Sequence, residues 1–113
     1  MEHSELSFDS DFEVITGNSR AQAAVMVLGA GETTGGPDNR HRGSDQWMHV
    51  VGGEGTAVVA GRNCRLRAGS VLLIERGEPH EIRNTGAEPL RTLNIYVPPA
   101  YDASGDPLPS GQP

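Results

Sequence analysis

One segment, Gly69-Ser-Val-Leu-Leu-Ile-Glu-Arg-Gly-Glu-Pro-His-Glu-Ile-Arg-Asn84, limits the possible folds of this chain more than any other. It reads as a buried strand from Val71 to Ile74, a tight turn at Gly77 and a second strand that opens with His80. Proline sets the backbone angle of the residue before His80, so the imidazole is held at the end of a stiff turn. A histidine in that place is a poor core filler and suits a fixed, inward-pointing ligand. The spacing carries the specificity: five residues separate Gly69 from Glu75, one separates Glu75 from Gly77, two separate Gly77 from His80, and three separate His80 from Asn84.

The remaining sequence extends the same architecture. Phe12 to Ile15, Ala21 to Leu28, Gln46 to Val51, Thr56 to Ala60, the stretch through Cys64 and Leu66, and Leu90 to Val97 are short strand-like runs separated by glycine or proline turns. On the Gln46 strand, Gln46, Met48 and Val50 share one face, while Trp47, His49 and Val51 share the other. Cys64 and Leu66 point in and Arg65 and Arg67 out, and Leu93, Ile95 and Val97 lie on one face of the last strand. Regular short strands with no helical period predict a sandwich or barrel. Fifteen glycines, eight prolines and a hydrophobic content of 35% agree with an all-β chain rich in turns.

The 113 residues suit one domain. Residues 1–10 are expected to be a flexible terminus, residues 11–101 the folded unit and residues 102–113 a disordered tail, because Asp102-Ala-Ser-Gly-Asp-Pro-Leu-Pro-Ser-Gly-Gln-Pro113 has too little apolar surface for a core. The segment Gly31-Glu-Thr-Thr-Gly-Gly-Pro-Asp-Asn39 is expected to form an irregular loop, with a possible role as a lid. A net charge of −6 argues against a nucleic-acid groove or an anionic membrane surface as partner. No apolar run is long enough to span a bilayer and the amino terminus does not resemble a secretory signal, so a cytoplasmic location is expected. Cys64 is the sole cysteine, which excludes an internal disulfide.

The spacing from Gly69 to Asn84 resembles the second motif of the cupin superfamily, departing at Glu75, where the family usually has proline. The strand from Gln46 resembles the first motif: two histidines separated by one residue, an acidic ligand, and a glycine seven positions after that ligand. With Gly53 as the anchor, Gln46 falls at the acidic position, His41 at the second histidine and Asn39 at the first. The resemblance covers roughly residues 21 to 99 and implies a double-stranded β-helix, a jelly-roll-like barrel. It is similar to the small cupins of the pectin-degradation type, some of which have glutamine at the acidic position, and it implies pairing as a homodimer through the sheets.

The same resemblance implies one divalent transition metal (zinc, nickel, manganese, iron or copper) held by His41, Gln46, His80 and Asn39. Two imidazoles supply borderline nitrogen donors, whereas two amide oxygens supply no compensating charge, so binding should be weaker than with three histidines and a carboxylate. Each position has a plainer reading. His41, between Arg40 and Arg42, is either a ligand or a solvated loop residue; Gln46 is either a ligand or an internal hydrogen-bonding group. Asn39 is either a ligand, with Asp38 as its substitute, or a turn former. Arg40 and Arg42 either clamp a substrate carboxylate or stand in solvent. Trp47 and Tyr96 are expected in packing or subunit contacts. Ser44-Asp45 beside His41 has no motif context for a hydrolytic triad, and Cys64 is expected to be an inert, inward-facing thiol.

Two functions are therefore expected. One is Lewis-acid chemistry of the isomerase or ring-opening type on a small polar molecule such as a sugar acid. The other is a non-catalytic barrel that binds a small molecule with a degraded or empty metal site. Inward-facing Met48, Val50, Leu66 and Ile82 are apolar and offer no general acid or base.

Overall fold

Alternation of buried and exposed side chains organises the described residues into nine strands: β1 (Phe12–Gly17), β2 (Gln22–Leu28), β3 (Thr33–Gly35), β4 (Asp45–Gly52), β5 (Glu54–Val59), β6 (Arg62–Arg67), β7 (Val71–Ile74), β8 (His80–Asn84) and β9 (Leu90–Val97). The computed structural model describes residues 1–36 and 39–113. The strands form two antiparallel sheets, one ordered β1-β2-β9-β4-β7 and the other β3-β8-β5-β6. This is the expected double-stranded β-helix. The one helical element among the described residues is a 3₁₀ turn at Pro109–Gly111, and none of their helices is long and apolar enough to cross a membrane.

One half of the space between the sheets is apolar. Leu28, Met48, Val50, Ala57, Leu66, Ile82 and Leu90 pack there, most of them with no exposed surface. Each large aliphatic side chain buried this way contributes about 1.5–3 kcal/mol relative to exposure. Cys64 packs against the edge of this cluster, half-buried as its inward parity anticipates. Glycine turns set the strand spacing. Gly53, for example, has φ +89° and lies so close to the Pro89 carbonyl that a Cβ would collide with it.

Three regions differ from the sequence expectation. Within the 31–39 segment, β3 pairs with β8 through Thr33↔Arg83, Thr34↔Ile82 and Gly35↔Glu81. Thr33 and Thr34, β-branched and suited to a strand, take up the backbone bonds that β8 offers despite the glycines around them. On β9, Leu93, Ile95 and Val97 do share a face, but it is the outer, half-buried one; Leu90, Thr92, Asn94 and Tyr96 point inward and are buried. Residues 102–113, expected as a tail, carry hydrogen bonds within the segment and to Ala100. Asp102 Oδ1 accepts from the backbone of Ser104 and Asp106, Tyr101 bridges to Pro107, and Leu108 N donates to Ala100 O at 2.8 Å. Backbone hydrogen bonds, which composition does not reveal, hold this polar segment against the barrel. Residues 1–10 have no strand or helix and are mostly exposed.

Candidate functional site

His41 lies on the loop before β4 and His80 opens β8, and the two segments are joined through their backbones. His80 N donates to Asn39 O at 2.8 Å, and Gly77 N donates to His41 O at 2.8 Å. The turn at Gly77, where φ is +82°, thus grips the chain entering β4. Glu78 shapes that turn, since its carboxylate accepts from Glu75 N at 2.8 Å and its own N–H donates to Glu75 O. The His41 and His80 rings come within 5.1 Å, centroid to centroid. Both are buried, as is Gln46.

Hydrogen bonding decides which atom each side chain offers. His41 Nδ1 lies 3.1 Å from Gly111 O, and His80 Nδ1 lies 3.1 Å from Glu78 O. A carbonyl only accepts, so in each neutral ring Nδ1 carries the proton and Nε2 keeps its lone pair. Asn39 Nδ2, 3.2 Å from His80 Nε2, donates into that lone pair.

Gln46 is oriented by a relay. Thr92 Oγ1 donates to Met26 O at 2.9 Å, which spends its only proton. It must therefore accept from Asn94 Nδ2 at 3.0 Å, leaving Asn94 Oδ1 to accept from Gln46 Nε2 at 2.9 Å. The remaining Gln46 atom, Oε1, is buried and has no partner among the described residues. Unpaired buried acceptors are uncommon and call for an explanation.

His41, His80, Gln46 and Asn39 line a cavity of about 320 Å³. Tyr96, Tyr101 and Phe12 line it as well, with Phe12 and Tyr101 at 4.8 Å and Tyr96 and Tyr101 at 5.2 Å between ring centroids. Exposed Asp11 and Glu32 sit at its rim, and no arginine lines it among the described residues. Burial lowers the His80 pKa from its ordinary value, assisted by neighbouring His41 and opposed by the Glu78 carbonyl, so the ring stays neutral at pH 7. Burial raises both phenols, Tyr96 strongly, and keeps them protonated.

The cavity brings His41, Gln46, His80 and Asn39 together. Among the described residues, no three His, Cys, Asp or Glu side chains gather in a metal-ligating cluster. Asp38 lies outside the described residues. Arg40 and Arg42 do not line the cavity, and Arg42 Nε donates instead to Pro109 O at 3.0 Å. Ser44 Oγ donates to Pro98 O and Asp45 pairs with Arg76, so neither is part of a triad with His41. Tyr96, expected in packing or subunit contacts, forms cavity wall. Asn94, Thr92, Tyr101 and Gly111 are absent from the sequence reading, and strand parity with Tyr96 is the one signal that could have found Asn94.

Several comparisons bear on this geometry. The family description "Cupin domain" matches residues 24–96. An oxalate-binding protein of Thermotoga maritima is 31% identical over 74 residues, 66% of this chain and 60% of that protein, so this chain spans about 60% of its relative's length. A solved structure from Bacillus halodurans has a TM-score of 0.75 at 25% identity, covering 82% of this chain and 74% of that one. The structure of KdgF from a Halomonas species has a TM-score of 0.69 at 17% identity, covering 86% and 87% of the two chains, a likeness of fold alone.

Proposed function

The chain belongs to the cupin family, and from that premise we propose that it holds one divalent transition metal through His41 Nε2, His80 Nε2 and Gln46 Oε1, with a small oxygen-rich molecule beside it. The observation that carries this reading is the orphaned Gln46 Oε1, an acceptor fixed by its relay and left without a proton or cation to accept. Two neutral imidazole nitrogens and an amide oxygen fit zinc, nickel, manganese, iron or copper. Such an ion, once bound, acts as a Lewis acid toward a carbonyl or hydroxyl oxygen. Asn39 suits a supporting role better than that of fourth ligand, because its Nδ2 faces two acceptors of His80, Nε2 and the backbone carbonyl.

The chain's own groups favour a hydroxylated molecule. Tyr96 and Tyr101 remain protonated and able to donate, as is Asn39 Nδ2 once displaced from His80. With no arginine on the lining, the carboxylate of a sugar acid or of oxalate would have to rest on the metal alone. Isomerisation or ring opening of a sugar acid is the finer form of this proposal. The second reading, ligand binding without turnover, is favoured by one feature: Asp11 and Glu32, the carboxylates on the lining, lie at the exposed rim, and Glu32 is bonded to Gly29 N.

Elemental analysis of untagged protein tests the metal. Near-stoichiometric metal, followed by turnover of sugar acids, supports catalysis; metal with ligand heat in calorimetry and no turnover supports the binding reading. No metal after reconstitution with first-row dications removes the metal-centred reading and leaves ligand binding by a barrel with an empty metal site. A homodimer is also proposed, with the partner covering the exposed outer-face side chains Trp47, Val51, Val71 and Leu73. Light scattering should then give twice the chain mass for the native protein and the single mass for Trp47→Glu with Val71→Glu. A native monomer rules the dimer out.

A further inference from the structure

Four successive backbone carbonyls of the carboxy-terminal segment accept hydrogen bonds from three successive residues of the His41 loop. Pro109 O accepts from Arg42 Nε at 3.0 Å, Ser110 O from Gly43 N at 2.9 Å, and Gln112 O from Arg42 N at 3.0 Å. Between them, Gly111 O accepts from His41 Nδ1 at 3.1 Å. The segment is fastened on its other side too, since Leu108 N donates to Ala100 O and Ser110 Oγ donates to Pro99 O. Gly111 is buried against Ala100, and a Cβ there would collide with the Ala100 carbonyl. None of residues 107–112 lines the cavity, so the segment braces His41 from behind and leaves the cavity open.

We propose that residues 109–112 are a positioning strap: their docking holds the proton of His41 on Nδ1 and so aims its Nε2 lone pair into the cavity. The reason is chemical. An unrestrained neutral imidazole exchanges its proton between the two nitrogens, and a ring protonated on Nε2 offers the cavity a donor where a cation needs a lone pair. Partners that orient a ligating imidazole are worth roughly 10–100-fold in metal affinity. The strap goes beyond the metal reading, because the tautomer is set whether or not a cation binds. Only its consequence for affinity rests on that reading.

Imidazole ¹⁵N NMR of the full chain, without metal, tests the strap, with His80 as internal control because its Nδ1 partner, Glu78 O, is local. Both rings should be protonated on Nδ1 in the native chain. Deletion of residues 109–113 should move His41 to a mixture of tautomers and leave His80 unchanged. In cobalt(II) titrations, the deletion should weaken binding roughly tenfold or more. A His41 that stays protonated on Nδ1 after deletion overturns the proposal. Should the deletion fail to fold, Gly111→Ala, whose Cβ would collide with the Ala100 carbonyl, dislodges the segment with the chain intact, and an unchanged His41 spectrum in that variant overturns the proposal equally. If the native chain takes up no cobalt, the metal reading fails while the tautomer measurement still decides the strap.

Discussion

His41 and His80 offer the same nitrogen to the same cavity, but they are held there in different ways. His80 takes its orienting carbonyl from Glu78, two residues away, within a turn stiffened by Pro79 and closed by Glu78 on Glu75. His41 takes its carbonyl from Gly111, 70 residues away. A locally held group is specified by whatever specifies its turn. A remotely held one depends on two distant segments docking correctly, and it can be lost without any change near it. The two donors should therefore contribute alike once formed and differ sharply in how they can be disturbed.

The largest effect should come from removing either ring. His41→Ala and His80→Ala are each expected to weaken metal binding by more than roughly 100-fold, beyond the loss from disturbing an orienting partner. Calorimetric titration with zinc or nickel on each variant checks this. A His41→Ala protein that binds as tightly as the native chain would end the equivalence of the two rings and leave His80 with Gln46 as the working pair.

A smaller effect, of opposite sign in two measurements, is expected for Gln46→Glu. The new carboxylate can no longer donate to Asn94 Oδ1, and Asn94 cannot turn to help without abandoning Thr92 and Ala24 O. The metal-free protein should lose about 1–3 kcal/mol, the cost of a buried polar group left unpaired. Metal affinity should rise, because the ion then meets a compensating charge. Urea unfolding of the metal-free form and a metal titration give the two readings. A variant as stable as the parent would mean that the relay does not fix the Gln46 amide.

The contrast between the rings also explains what the sequence could reveal. The turn around His80 is legible because its determinants, Gly69, Gly77, Pro79 and Asn84, lie within one short stretch at set spacings. The inward face of β4 is legible because apolar Met48 and Val50 continue the parity of Gln46. On β9 the same logic misleads: the apolar triplet Leu93, Ile95 and Val97 faces outward, while polar Thr92 and Asn94 are buried to orient Gln46. Their value lies in a partner on another strand, which alternation cannot name. Residues 109–112 are the hardest case. They act through carbonyl groups, which every residue possesses, so Pro-Ser-Gly-Gln reads as tail until its backbone partners are known.

The smallest effect expected is on pH dependence, and it concerns His80 without any metal. Burial holds the His80 pKa in the folded protein below 6.5, its ordinary value. As pH falls through 6.5, the unfolded chain takes up a proton that the native protein refuses, so stability drops; below the folded value the drop levels off. Above 6.5 both states are neutral at this residue, and it contributes no slope. Urea unfolding of the metal-free protein from pH 8 down to pH 5 should show this decline, and His80→Gln should flatten it. A decline that persists in full in His80→Gln would place the missing proton on another group.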